Sequence, residues 1–173
     1  MLRPGMPNTT VRWKLNPSAK DFDAALDYLG LIYPAADGRK LVRALRTARS
    51  VQHTAKDLLR ASGLPLLPRD EVHVEADLKR IRKEKVLSPV LLIQGDMSQC
   101  IPLIVADGYH RICAVCHYDE DAAISCRLSF PEVFVGSPRK RNAGSTDGRP
   151  PGRGAPTRPA SRARPAVRSA ARR

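Results

Sequence analysis

Aromatic side chains are scarce in this chain: three Phe, four Tyr and one Trp among 173 residues. A stacking platform for single-stranded nucleic acid needs several aromatics in one place. Trp13 has few others near it, so that mode of binding is excluded. No apolar run approaches the roughly 20 residues of a membrane span. The first ten residues, M-L-R-P-G-M-P-N-T-T, lack the apolar core of a secretory signal. A cytoplasmic location without a membrane partner is therefore expected. Cysteine is limited to four residues, and in a reducing compartment these are packing thiols rather than bridges. Cys113, Cys116 and His117 match the C-x-x-C-H spacing of haem attachment. There is no visible export route and no second C-x-x-C pair, so neither haem nor a closed zinc cage is expected. His53 and His73 stand alone and read as surface or satisfied core residues.

Acidic residues are scarce only at one end. The formal net charge is +13, but eleven Lys/Arg and a single Asp lie from Gly136 onward, which places +10 in the tail. The preceding nineteen basic and sixteen acidic residues nearly balance. The tail is rich in Arg, Pro, Ala, Gly and Ser and has no apolar period, so burial cannot offset its ordering entropy. Residues 136–173 are expected to be disordered. They read either as a polyanion-binding tail, for instance toward DNA, or as an unselected extension.

Four segments follow from composition: an irregular 1–17, broken by Pro4, Pro7 and Pro17; a helical part over 18–65; a second part over 66–135; and the tail. Ser18 reads as the N-cap of a helix to about residue 31, with Phe22, Ala25, Leu26 and Leu29 inward. Pro34 ends it. A second helix over 37–48 turns Leu41, Val42, Ala44 and Leu45 inward and Arg39, Lys40, Arg43, Arg46 and Arg49 outward. That basic face is read as solvated, with a DNA-binding helix pair as the alternative. A short strand over 51–54 leads to a helix over 55–61 stopped at Gly63. After an extended Pro-rich connection, the spacing of Val74, Leu78 and Ile81 predicts a helix over 74–86, with Lys79, Arg80, Arg82, Lys83 and Lys85 exposed. Residues 90–94 read as a strand. Phe130, Val133 and Phe134 are expected to cover one end of the core.

The most informative stretch is 101–128. Residues 101–106 have the length and β-branching of a buried strand. Asp107-Gly108 is a turn pair. Ile112, Val115 and Cys116 then recur with a helical period, and 124–128 alternates like a strand. Such a strand–turn–helix gathers free N–H groups and a positive helix end at one point, where anions bind. His110 and Arg111 fall at that point. Arg111 has the fork that suits phosphate oxygens, His110 can donate or move a proton, and Asp107 can act as a base or hold a metal-bound water. A plain D-G turn with an Asp cap and a surface Arg is the simpler alternative.

Gly108-Tyr109-His110-Arg111-Ile112-Cys113-Ala114 resembles the G-x-x-R-x-x-A pattern of the ParB/sulfiredoxin superfamily. The flanking elements, over roughly 66–128, resemble that family as well. The resemblance implies an α+β fold: a small mixed sheet of the ParB/sulfiredoxin type, here with a helical N-terminal part and a disordered basic tail. It also implies a nucleotide, with Mg²⁺, or a small phosphate ligand held by Gly108, Tyr109, His110 and Arg111. Tyr109 stands where sulfiredoxins carry the catalytic Cys, which excludes sulfinic-acid repair. Tyr109 and His110 replace the Glu and first Arg of chromosome-partition ParB proteins. Neither a second phosphate motif nor the following DNA-binding domain is present, which argues against nucleotide-driven clamping on DNA. The chain is most similar to the D-G-H-H-R form of ParB-like free-serine kinases, which implies phosphoryl transfer to a small hydroxyl compound with Asp107 and His110 as catalytic residues. Those kinases also use an early Glu, for which Glu71 and Glu75 are both candidates. The resemblance places the 74–86 helix near the ligand, with Lys83 and Lys85 as supporting cations. A DNA-associated protein and a non-catalytic interaction module are the alternatives.

Overall fold

The computed structural model describes residues 10–131. Residues 1–9 and 132–173, including Val133, Phe134 and the basic tail, lie outside the described residues. The architecture is α+β: five α-helices and one mixed four-stranded sheet. The helices are α1 (Ala19–Leu29), α2 (Ala35–Thr47), α3 (Ala55–Ser62), α4 (Val72–Arg82) and α5 (Tyr109–Tyr118). The strands are β1 (Ser50–Thr54), β2 (Val90–Ile93), β3 (Ile104–Asp107) and β4 (Ala123–Ser129). Their order across the sheet is β1-β4-β2-β3. β4 runs antiparallel to β1 and parallel to β2, and β3 is antiparallel to β2.

The central strand β2 is apolar at every position, as expected of a strand covered on both faces. Side chains alternate across a strand, so Val90 and Leu92 enter one core while Leu91 and Ile93 enter the other. The first core is closed by α3, α4 and α5 through Leu58, Val74, Leu78, Ile81, Ile112 and Val115. The second is closed by α1 and α2 through Phe22, Ala25, Leu29, Leu41, Val42 and Leu45. Burying a side chain of this size stabilises by about 1.5–3 kcal/mol. Residues 18–65 thus supply a covering layer and an edge strand to the same sheet that 66–131 builds.

Several boundaries differ from those expected. Pro34 starts α2 as its N-cap rather than ending α1, which stops at Leu29 with Gly30 as C-cap. Ala44 is exposed rather than inward. Phe130 is 64 % exposed and does not cover the core. α4 stops at Arg82, because Glu84 takes a left-handed conformation (φ 53°). The N–H of Lys85 then donates back to the Arg80 carbonyl at 2.9 Å and that of Glu84 to Ile81 at 2.9 Å. This is the Schellman pairing, with Glu at the position that usually takes Gly.

Near the N-terminus, Trp13 bridges Leu87 in parallel register. Lys14 N–H donates to Leu87 O and Leu87 N–H to Arg12 O, each at 2.8 Å. The alternation of this extended segment buries Val11, sends the Trp13 indole N–H to the Ala123 carbonyl at 3.1 Å, and leaves Arg12 and Lys14 exposed on the opposite side. Between β2 and β3 the register slips at Leu91/Leu92: Leu91 faces Asp107 and Leu92 faces Val105, so Ala106 is the extra residue. A bulge of this kind re-aims the residue beside it, here the Asp that ends the strand.

Candidate functional site

β3 ends at Asp107, and Gly108 turns the chain into α5 with φ 99°. The glycine is required twice over. A side chain would be strained at that φ, and a Cβ there would meet Val90 Cγ2 at 2.9 Å and the Arg111 guanidinium at 3.1 Å. No side chain caps α5, and the first N–H groups of a helix have no intrahelical partner. They open beside a cavity of about 220 Å³ lined by His73, Asp77, Arg80, Asp107, Gly108 and His110, with Ala76 and Arg111 completing the wall.

Arg111 is the hub of the site. Its side chain is only 11 % exposed. One end of the guanidinium donates to Asp107 Oδ2, and Nη1 donates to Ser88 O at 2.9 Å and to Asp21 Oδ1 at 3.3 Å. Asp21 opens α1: the Ser18 N–H donates to its Oδ2 at 2.6 Å, the Ser18 hydroxyl at 2.7 Å, and the Ser88 hydroxyl at 2.5 Å. Burial raises the Asp21 pKa. The hydrogen bonds from Ser88 and Ser18, together with the Arg111 charge, more than offset this, so its carboxyl lies below the usual value. Asp107 behaves oppositely. Burial is its largest influence and pushes the carboxyl above the usual value, aided by the nearby Asp21 charge and only partly countered by Arg111. Two carboxylates therefore share one cation, and their environments push their proton affinities apart.

His110 lies on the outer side of the turn. Its Nε2 is 3.9 Å from Glu71 Oε2, and its ring centroid is 4.9 Å from that of His73. Glu71 caps α4, accepting from the N–H groups of His73 and Val74 at 2.9 Å each. The Val74 N–H is the main reason that the Glu71 carboxyl lies below its usual value, with His110 and His73 adding to it. Glu75 instead pairs with Lys79 at 2.8 Å on the exposed face of α4. Of the two early Glu candidates, only Glu71 approaches the α5 turn.

The remaining sequence candidates separate. Tyr109 turns away from the cavity and donates its hydroxyl to the Pro65 carbonyl, anchoring the Pro-rich connection. Lys83 lines neither cavity described here, whereas Lys85 lines a larger groove of about 850 Å³ beside the first. Asp77, Arg80 and Arg111 belong to both walls. Asp77 is 11 % exposed and accepts from Arg80 at 3.1 Å, while the Arg80 side chain is 60 % exposed. Asp77, Asp21 and Ser88 were not singled out by sequence reasoning; Arg80 was one of several exposed cations on its helix, and His73, read as a lone surface or core histidine, instead lines the cavity beside His110. Asp21 carried only the signal of a helix start, Ser18-x-x-Asp21, which says nothing about a partner 90 residues away.

Cys113 is fully buried, Cys116 is half-buried, and burial raises the pKa of both thiols. His117 Nε2 lies 2.7 Å from the Leu67 carbonyl. No group of three or more His, Cys, Asp or Glu able to hold a metal ion occurs among the described residues. No described helix is long and apolar enough to cross a membrane. Comparison with protein-family models, curated proteins and solved structures finds no match for the chain.

Proposed function

We propose that the chain is a nucleotide- or phosphate-binding protein of the ParB/sulfiredoxin type that transfers a phosphoryl group to a small hydroxyl compound. One observation carries this reading: the uncapped start of α5 opens on a cavity that also holds a carboxyl of raised pKa, Asp107, and the imidazole of His110. Phosphate is favoured at such a helix end by free N–H groups and the helix dipole. Gly108 allows it to come close to the backbone. Asp107 is the proton acceptor for the incoming hydroxyl, a task that suits a carboxyl raised above its usual value. His110 donates to the transferred group, and Glu71 orients the imidazole. Arg111 acts through Asp107 and not as a free phosphate fork, because its Nη1 is engaged by Asp21 and Ser88 and its Nη2 by Asp107. Asp77, which lines both walls, would be the carboxylate that holds a nucleotide-borne Mg²⁺, leaving Asp107 for the proton, and the bound ion would neutralise phosphate charge.

The test is ATP-dependent phosphorylation of a panel of small hydroxyl compounds, preceded by thermal shifts with ATP, ADP, CTP, GTP and inorganic phosphate, with and without Mg²⁺. A ligand at 100 times its dissociation constant stabilises by about 2.7 kcal/mol. Turnover that falls at least about 100-fold in Asp107→Asn and His110→Ala is expected. Absence of any shift and of any turnover would sink the proposal. A second reading, association with DNA, rests on the +10 charge of residues 136–173. Steep salt dependence of DNA affinity, lost when those residues are removed, would support it.

A further inference from the structure

The larger groove is cationic in a way that the smaller cavity is not. Arg12 and Lys14 reach it from the N-terminal segment, where the backbone pairing with Leu87 fixes them on one side and Trp13 on the other. Lys20 reaches it from the first turn of α1, and Lys85 from the Schellman turn after α4. All four are exposed, and none forms an ion pair among the described residues. Arg111 and Asp21 on the same wall neutralise each other. Asp77 and Glu84 are then the acidic groups set against four free cations and Arg80. At about 850 Å³ the groove falls within the usual range of ligand pockets, whereas the 220 Å³ cavity is below it.

Resting on the phosphotransfer reading above, we infer that the two spaces divide the substrates: the groove holds the polyphosphate chain of a nucleoside triphosphate, whose terminal phosphate reaches over the shared wall to the start of α5, and the small cavity there holds the hydroxyl acceptor. Arg80 stands in the wall between them. Its fork is held by a single contact to Asp77 and is otherwise exposed, so it can swing to the phosphate that crosses. In the step itself, the acceptor oxygen forms a bond to the terminal phosphorus and its proton goes to Asp107. The bond from that phosphorus to the bridging oxygen breaks, and the electron pair leaves with the nucleoside diphosphate. The charges balance without any oxidant or reductant.

The test measures binding of ATP, inorganic tripolyphosphate and inorganic phosphate to the full chain near physiological salt. The proteins compared are wild type, the double variant Arg12→Ala/Lys14→Ala, Lys85→Ala, Arg80→Ala, and a control on the outer face of α2, Arg39→Ala/Arg43→Ala. All are exposed positions, where substitution usually changes stability little, and a melt of each variant beside wild type reads any loss, above all in Arg80→Ala, which removes the partner of Asp77. Tripolyphosphate is expected to displace ATP. The double variant and Lys85→Ala should each weaken both ligands at least tenfold, with the control unchanged. In turnover, the groove variants should raise the nucleotide KM, while Arg80→Ala should lower kcat. If ATP binds all variants within twofold of wild type, the groove assignment falls and the phosphate site at α5 stands. If wild type binds none of the three probes, both fall. If a single-stranded oligonucleotide occupies the groove and tripolyphosphate does not compete, the groove is a nucleic-acid site and the assignment is overturned.

Discussion

Replacing Arg111 by methionine keeps most of the buried stem and removes the cation that Asp107, Asp21 and the Ser88 carbonyl share. Both carboxylates are less than one-fifth exposed. Breaking a buried ion pair from one side leaves uncompensated charge and costs about 3–5 kcal/mol, a large share of the 5–15 kcal/mol that holds a typical domain. A fall in Tm of about 10–20 °C is expected. The deficit has a pH signature. Without Arg111, the carboxyl of Asp107, already above its usual value through burial, rises further, so the folded protein binds more protons at this site than the unfolded chain from about pH 4 up to the raised value. Stability of the variant therefore recovers as pH falls from 7 toward about 4. Urea melts at pH 7, 6, 5 and 4.5 read both quantities. A deficit below about 1 kcal/mol that stays flat with pH would refute the shared-cation argument. The same reasoning makes an Arg111 variant a poor control for phosphate binding, since it loses fold stability whatever it does to a ligand.

Asp107→Asn should separate stability from activity. The folded pKa of Asp107 is raised, so its favourable contribution is complete below the unfolded value near 3.8 and is lost as pH rises through the folded value. At pH 7 the Asn variant should be as stable as wild type or more so in urea, with phosphotransfer lost. A variant clearly less stable at pH 7 would contradict the assigned cause. Gly108→Ala should cost at least about 1–2 kcal/mol, from the positive φ and the contacts with Val90 and Arg111, and an unchanged Tm would show that the turn can relax. Thiol labelling of the native chain should give one fast group, the exposed Cys100. Cys126, whose pKa burial pushes up to about 12, should react only on unfolding. More than one fast thiol would mean that the α5 core opens readily.

The strand–turn–helix at 104–118 was legible because its signals are local: an apolar run, a D-G pair and a 3.6-residue period. The α+β fold with a mixed sheet was expected from the family resemblance and not from local pattern, because its strand pairings join distant segments. The end of α4 was not legible, because Glu84 occupies a left-handed position with no glycine to announce it. The 101–106 run was only partly strand, since Ile101 forms a lone bridge to Asp96 and β3 begins at Ile104. Glu71 and Glu75 could not be told apart in sequence, because four residues along a helix is about one turn. What separates them is that Glu71 caps the helix and so sits at its mouth. The partners of Arg111 were out of reach, since Asp21 and Ser88 come near it only when α1 is laid across the sheet.

The carboxylate of Asp21 has two jobs that belong to different parts of the chain. Its Oδ2 holds the first turn of α1, and its Oδ1 neutralises a guanidinium on α5. Fraying of α1 would strip Arg111 of a counter-charge, and movement of Arg111 would strip α1 of part of its start. The two helices therefore cannot open independently and should form one cooperative unit of local unfolding. Amide hydrogens in the first turns of α1 and α5 should then exchange with solvent at matched free energies. A ligand that binds only at α5 should slow both sets together.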